Sequence, residues 1–510
     1  MTRAAQTKSL RRGRHDLDDR HAPAHGVDDR AGVGQAVSEA RRGHDASAPD
    51  AQRQPRRLLV IASRFPPVAS VGATRVRKFV KYLEHDGWHA TVITGAMRRR
   101  PTRSHDARRA SDFESLADIP PSTAVHRLSP VVDAWPAFAA RYAAARLAAI
   151  TQFVGCHESY WTAKLRWRFD RIHNALAFPD RGVFRLPQAV ALACRLHRAR
   201  PFDAMLSSGM PFSDHLIALV LQNHLRLPWL ADFRDPWVEY IHWKQWRSTP
   251  GLKLTRAAER VVVRRASFVI SVNDHMTERF GLRYRRVPAT KFVTLPNGFD
   301  PADFPEHRRE QPSSRFHLLY AGSLYATRSP ANLLDAFRRF IDATPGAAAH
   351  VRLDFAGRAG PSFDELIRPG DGETIGRLGL LTHREALARM VQADANVILL
   401  PNLPGSENDT TAKVYECLGS RRAILAAVPL DGAAARELRP YPGVWRRDPD
   451  DIEGLSAALG EMYAAWLAGR LDGDRSAESL APLTRHVQTR KLADLLDAAI
   501  RARHLVERCR

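Results

Sequence analysis

Lys413 and Glu416 stand three residues apart in the run Thr411-Ala412-Lys413-Val414-Tyr415-Glu416-Cys417-Leu418. On a helix that spacing puts an ammonium and a carboxylate on one face, where both can point into one cleft. A carboxylate accepts two hydroxyl hydrogen bonds and so matches the diol of a ribose. The N–H groups of Thr410 and Thr411, at the start of that helix, can face a phosphate. Asn408 or Asp409 can cap it, and Asp409 is the preferred cap. Upstream, Arg328 follows Gly322 by six residues after an apolar run. It can grip a phosphate bidentately or stand solvated at a helix start. Gly72 lies between an apolar run and a helical pattern, where backbone can pass close to a ligand and the helix offers free N–H groups to a diphosphate. The alternative there is an ordinary strand-to-helix turn. Asp232, Arg234 and Asp235 leave a strand together, either to orient an acceptor hydroxyl or to form a structural ion pair. His215 follows Ser207-Ser208-Gly209-Met210-Pro211-Phe212. It can hydrogen-bond a sugar, assist an acceptor, or be one packed histidine among 21. The two Asp-x-Asp triplets, Asp16-Leu17-Asp18 and Asp472-Gly473-Asp474, lie in a polar tail and a polar loop, so no metal–diphosphate site is expected. No P-loop, GxGxxG, Ser-His-Asp order or His-rich metal motif stands out.

Strands and helices must carry these residues. Leu58-Leu59-Val60-Ile61-Ala62 reads as a strand buried on both faces. Val76, Phe79, Val80 and Leu83 then recur at helical spacing, and Ala90 to Thr94 reads as a second strand. Strand, helix, strand is a βαβ unit of a parallel sheet. Further strands are expected at Phe202 to Ser207, Pro228 to Asp232, Phe268 to Val272 and Lys291 to Leu295, with helices at 212–225 and 252–266, the latter basic. Asn273 or Asp274 can cap the next helix. A Pro-, Glu- and Arg-rich linker at about 301–314 precedes a second series. Its strands fall at Phe316 to Ala321, Val351 to Ala356, Glu373 to Leu378, Ala395 to Leu400 and Ala423 to Ala427, with helices at about 330–341, 383–392 and 411–420. The expected fold class is α/β, with two Rossmann-like domains and an interdomain cleft where ligands bind.

The order of these segments resembles the retaining, nucleotide-sugar-dependent glycosyltransferases of family 4, which have the GT-B fold. The resemblance rests on Arg64-Phe65-Pro66-Pro67 through Gly72 to Gly87, on Ala231-Asp232-Phe233-Arg234-Asp235-Pro236-Trp237, and on 411–425. Asn297-Gly298-Phe299-Asp300 and Ala356-Gly357 are also similar to that family. The second segment is similar to a branch associated with surface polysaccharide assembly. The resemblance implies an acceptor domain at 56–300, with a basic-aromatic insertion at about 98–175, and a nucleotide-sugar domain at 315–475. A disordered tail at 1–55 and a C-terminal helix at 476–510, packing back on the body, complete the division. It implies donor contacts by Gly72, Gly322, Arg328, Gly357, Asn408, Thr410, Thr411, Lys413 and Glu416, with Glu416 on the ribose. His215, Asp232, Arg234 and Asp235 become the candidate catalytic residues. Family members carry an Arg just after the first Gly of the second domain and a Lys five residues later; here Ser323 and Arg328 stand there. A Glu is usual eight residues before the ribose carboxylate; here it is Asn408, which adds no charge. The resemblance further implies same-face attack, with the leaving phosphate taking the acceptor proton, and no cofactor beyond the nucleotide-sugar substrate.

The chain has 510 residues and a formal charge of +22, from 77 Lys and Arg against 55 Asp and Glu. That excess suits an anionic partner, or follows from base composition alone. The basic cluster Arg98 to Arg109, the aromatic–Arg stretch at 135–171 and His242 to Arg247 suit an anionic membrane surface or, as the alternative, a packed insertion. No RRM, KH or helix-turn-helix signature supports nucleic acid. The four cysteines are dispersed, no secretory signal is evident and no apolar run nears the ~20 residues of a membrane span. A cytoplasmic protein is expected, peripheral on the inner face of the membrane if it binds lipid. Its partners would be a nucleotide-diphospho-sugar and a saccharide or lipid-linked acceptor. The rival readings are a GT-B sugar epimerase and a catalytically silent nucleotide-sugar-binding protein.

Overall fold

Alternate residues of Arg56–Ile61 (β1) enter different cores. Leu58 and Val60 pack with Phe79, Val80 and Leu83, whereas Leu59 and Ile61 pack with Ile217 and Leu221. That two-sided burial is why the run is apolar throughout. The chain was analysed as a computed structural model that describes residues 55–96, 113–129, 178–239, 249–305, 314–324, 328–358, 361–471, 473 and 475–508. Residues 1–54, the Arg98 to Arg109 cluster, the 135–171 stretch, His242 to Arg247 and the aspartates of both Asp-x-Asp triplets lie outside the described residues.

The first sheet adds Trp88–Thr94 (β2), Ala124–Arg127 (β3), Ala204–Gly209 (β4), Trp229–Phe233 (β5), Phe268–Ser271 (β6) and Phe292–Thr294 (β7). All pairs are parallel, in the order β3-β2-β1-β4-β5-β6-β7. Helix Val71–Leu83 (α1) covers one face. Leu186–Ala199 (α2), Ser213–Leu225 (α3), Thr249–Arg265 (α4) and Asp274–Arg283 (α5) cover the other. Asn273 caps α5 by accepting from Met276 N at 2.8 Å. Part of the range read as an insertion, 124–127, is the edge strand β3 of this sheet.

The second sheet comprises Phe316–Ala321 (β8), Val351–Ala356 (β9), Ile375–Gly379 (β10), Ala395–Leu399 (β11), Ala423–Ala427 (β12) and Val444–Arg447 (β13), parallel in the order β10-β9-β8-β11-β12-β13. Ala331–Ala343 (α6) and Ile452–Leu467 (α9) pack on one face, His383–Gln392 (α7) and Ala412–Ser420 (α8) on the other. The last helix, Arg485–Arg508 (α10), returns to the first half, where Leu492 and Leu496 join the core of β1 and α1. Arg490 pairs with Asp86 at 2.5 Å and Arg56 with Asp497. At the crossing, Phe299 N donates to Leu483 O and Arg485 N donates to Phe299 O.

Candidate functional site

In an open parallel sheet, ligands bind outside the carboxyl ends of strands where the strand order reverses. In the first sheet that point lies between β1 and β4, in the second between β8 and β11. The chain leaves these strands through 62–70, Gly209 to Phe212, Gly322-Ser323 and 400–411. Gly72 and His215 follow the exits of β1 and β4 and stand in the first turns of α1 and α3, while Arg234 and Asp235 leave the neighbouring β5; Gly322 and Arg328 follow β8, and Asn408, Thr410, Thr411 and Lys413 follow β11.

Gly72 is in α1, not in the loop before it, because Ser70 starts the helix by accepting from Ala73 N at 3.2 Å. Its want of a side chain has a specific cause. A Cβ on Gly72 would overlap the Arg234 guanidinium, which lies directly on that first turn. Arg234 in turn donates from Nε to Gly209 O at 3.0 Å and bonds Met210 O, clasping the exit of β4.

Asp232 takes the structural alternative rather than a place in the cleft. It is fully buried, receives Arg75 Nη2 at 2.9 Å and Nε at 3.1 Å, and accepts from Ser208 Oγ at 2.7 Å. Arg75 also donates to Leu295 O and Pro296 O, both at 2.9 Å, and so fixes the exit of β7, which leads toward the linker. Burial works against the Asp232 charge, but Arg75 outweighs it and holds the carboxyl below its ordinary value.

His215 is fully buried against Phe233, with ring centroids 4.4 Å apart, and near Phe212 and Trp237. Trp229 Nε1 donates to Ser207 Oγ at 2.8 Å, and that hydroxyl lies 2.8 Å from His215 Nδ1. The Ser207 hydroxyl thus bridges the Trp229 and His215 rings. Nε2 is buried and has no hydrogen-bond partner among the described residues. Burial pushes the imidazole down to about 3, with Arg234 adding to the shift and Asp232 opposing it. His215 is therefore neutral at ordinary pH.

In the second half, Lys413 lies over Gly322, where a Cβ would come within 2.5 Å of its Cε and 2.8 Å of its Nζ. Lys413 makes no hydrogen bond or ion pair among the described residues. Burial pulls its ammonium below the usual lysine value, with Arg328 adding to the shift and Glu416 opposing it. Gly357 holds a φ of +138° beneath the Gly322 carbonyl, a backbone state and a close approach that only glycine meets. Thr411, not Asp409, occupies the N-cap position of α8, and its hydroxyl is buried without a partner among the described residues. Asn408 sits in the short turn Ser406–Asn408, where its amide donates to Gly405 O at 3.2 Å.

The carboxylate of Glu416 meets His383 Nε2 at 3.0 Å, a partner the sequence did not announce. Burial opposes both charges, yet the contact raises His383 and lowers Glu416 from their ordinary values. The signal that finds His383 is its place at the first position of α7, which packs beside α8.

The two halves meet across these exits. Asn273 Nδ2 donates to Asn408 O at 3.0 Å and to Thr410 Oγ1 at 3.1 Å. Burial, followed by the nearby Asp235, pushes Asp409 up to about 6, with Arg328 pulling the other way. Asp235 is thus the member of the Asp–Arg–Asp run whose charge reaches the opposite half.

Solved structures share this architecture. A glycosyltransferase from Rickettsia africae is 11% identical, with a TM-score of 0.54 over 88% of this chain and 99% of that one. A UDP-forming α,α-trehalose-phosphate synthase from Burkholderia vietnamiensis is 14% identical, with a TM-score of 0.56 over 88% and 99%. A chain from Listeria monocytogenes described as a UDP-N-acetylglucosamine 2-epimerase is 10% identical, with a TM-score of 0.50 over 86% and 95%. No family model and no curated protein matches the chain. The likeness gives the fold, GT-B, and that fold serves both transfer and epimerisation, so the reaction has to be argued from the site.

Proposed function

We propose that the protein is a retaining glycosyltransferase that moves a sugar from a nucleotide-diphospho-sugar to a lipid-linked or cell-surface saccharide. The observation that carries the reading is Lys413. A largely buried ammonium, without a hydrogen bond or ion pair among the described residues, stands beside Arg328 and at the start of α8, at the switch point of the second sheet. That concentration of positive charge suits a diphosphate. Glu416, oriented by His383, is the acceptor for the ribose hydroxyls. In the reaction the bond from the anomeric carbon to the phosphate oxygen breaks and a bond to the acceptor oxygen forms on the same face. The acceptor proton passes to the departing nucleoside diphosphate, so no enzymic nucleophile is required. Attachment to an anionic membrane through the basic and aromatic stretches before residue 175 belongs to the same reading.

Calorimetry with UDP-, GDP-, ADP- and dTDP-sugars is the direct test, followed by assignment of the anomeric configuration of the product. One base is expected to bind, and Lys413→Ala and Glu416→Ala are each expected to cost roughly 1.5–3 kcal/mol of nucleotide affinity in folded protein. Unchanged affinity in both variants overturns the site. Transfer is expected to survive EDTA, since Lys413 and Arg328 neutralise the diphosphate; loss of activity restored by magnesium contradicts this. Asn408 favours a second reading, a silent nucleotide-sugar-binding protein, because it supplies no carboxylate and its Nδ2 is already engaged with Gly405. Binding without transfer or donor hydrolysis selects it.

A further inference from the structure

Where the chain passes between the two halves, carboxylates and cations pair off by contact. Asp232 takes Arg75. Asp300 takes Lys78 at 2.7 Å, Lys81 at 3.2 Å and the Tyr82 hydroxyl at 2.7 Å. Asp303 takes Lys78 at 2.6 Å. Asp118 takes Lys78 at 2.7 Å, Lys81 at 2.9 Å and Arg77 at 3.5 Å. Glu416 takes His383 at 3.0 Å. Lys413 belongs to the candidate donor site. The buried cation then left over at this crossing is Arg485, the first residue of α10. It is 3% exposed, and its Nη1 is buried without a hydrogen-bond partner among the described residues. Among those residues its guanidinium makes no ion pair and lies over no aromatic ring.

The backbone fixes where Arg485 stands. Its N–H donates to Phe299 O at 2.8 Å. Phe299 lies against α8, where a Cβ on Gly419 would come within 2.6 Å of its ring. Arg75 of α1 grips the same connection at Leu295 O and Pro296 O. Arg485 thus stands where α1, α8 and the connection 295–303 converge. Burial and the like charge of Arg75 pull its guanidinium down to about 9, while Glu416, Asp300 and Asp303 oppose the shift. Those three carboxylates are committed by contact elsewhere, so they act on Arg485 only from a distance. A charge so placed is costly unless a counterion meets it directly. Hydrogen bonding alone does not answer the need. One turn on, Gln488 Oε1 is also buried without a partner among the described residues, but an amide carries no charge.

We propose that Arg485 anchors a buried site for a small monovalent inorganic anion, of the chloride class, at the crossing of the two halves. The size follows from the burial, since a guanidinium with 3% of its residue exposed leaves no path for a phosphate ester. The anion accepts from Arg485 and supplies the negative charge that no side chain brings into contact with it. It also offsets the repulsion between Arg485 and Arg75, which belong to α10 and α1 and meet across the connection. Anion binding therefore favours the arrangement in which α10 is seated on the first half. The inference does not rest on sugar transfer, because none of its contacts needs a nucleotide.

The full-length chain is to be melted without nucleotide in mixtures of potassium gluconate and potassium chloride at one ionic strength. As chloride replaces gluconate, the melting temperature is expected to rise by roughly 1–3 °C and level off, as a saturable site requires. Arg485→Gln is expected to abolish that response. In gluconate it should melt no lower than the unaltered chain, because the charge it removes has no counterion there. An Arg485 that serves packing alone gives the same loss in both salts. Arg485→Lys keeps the charge without the planar fork and should need several-fold more chloride; it serves should the Gln variant fail to fold. Crystals of the unaltered chain grown in bromide locate the ion independently, with an anomalous peak expected beside Arg485 Nη1. The proposal fails if the unaltered chain melts alike in both salts, if Arg485→Gln keeps the response, or if bromide scatters only from exposed positions. It fails also if a nucleoside diphosphate displaces the bromide, which assigns Arg485 to the donor site. Loss of nucleotide binding with the chloride response intact counts against the transferase reading and leaves this one standing.

Discussion

Arg75 and Asp232 form an ion pair with no exposed side-chain surface on either partner. Breaking such a pair strands one charge in the interior, which costs more than the pair itself contributes. Asp232→Ala is expected to lower unfolding free energy by about 3–5 kcal/mol, measured by denaturant titration; a loss within the range of a surface substitution contradicts the assignment. His215 gives a prediction in pH. Its folded-state value is depressed to about 3, against ~6.5 in an unfolded chain. Between those limits the unfolded state binds the extra proton, so stability falls as pH is lowered from 6.5 and the penalty vanishes above it. The stability of wild type relative to His215→Gln should therefore rise with pH across that window and then level off. A difference independent of pH places the ring in solvent. At this scale the sequence offered residue types but not partners. Asp232 and Arg75 are 157 positions apart, and Glu416 and His383 are 33 apart. Nothing local distinguishes an Asp aimed at a cleft from one aimed at a buried guanidinium, and the Asp–Arg–Asp run contains both Asp232 and Asp235. Gly72 was read as a position where backbone passes close to a ligand, but the group that occupies the space is the Arg234 guanidinium, just after β5.

Elements are legible in proportion to their burial. The central strands β1, β4, β5, β8, β11 and β12 are apolar runs because each has a neighbour on both edges and a helix on both faces. The edge strands β3 and β13, Ala-Val-His-Arg and Val-Trp-Arg-Arg, are half-buried and carry charged ends, so no run or alternation marks them. Helices α2 and α9 also escaped notice. Both are rich in alanine, and α9 is apolar on more than one side, which blurs the period that identifies an amphipathic helix. The last helix shows that position in the chain does not decide which core an element serves. Although α10 follows the second sheet, Leu492 and Leu496 have no exposed surface and complete the core of β1 and α1. Leu492→Ala is expected to cost about 2–5 kcal/mol, with hydrogen-exchange protection lost first in β1 and α1. Loss confined to the second sheet would assign α10 to the other core.

At the scale of the molecule, the two halves are joined by the linker, by the Phe299–Thr484 crossing and by α10, while across the candidate site Asn273 holds them directly. That side chain does two separable things. Its Oδ1 caps α5 by accepting from Met276 N, and its Nδ2 donates to Asn408 O and Thr410 Oγ1 in the loop that leads into α8. Asn273→Asp preserves the acceptor and removes the donor. It also sets a carboxylate against the Asn408 carbonyl, close to the region where Asp235 already raises Asp409. Two hydrogen bonds at a net ~0.5–1.5 kcal/mol each amount to a shift of about 5- to 150-fold toward an open arrangement. Asn273→Ala loses the same contact and also the cap, for a further ~1 kcal/mol of stability. Both variants should show a larger radius of gyration by solution scattering in the absence of nucleotide, while the Ala variant alone should melt appreciably lower. Nucleotide affinity should change little in the Asp variant, because Lys413, Glu416 and the start of α8 all belong to the second half. Transfer should fall, because the acceptor side no longer faces the donor. Scattering curves that coincide for all three proteins would mean that the linker, α10 and the Arg436–Glu278 ion pair at 3.3 Å fix the halves without Asn273.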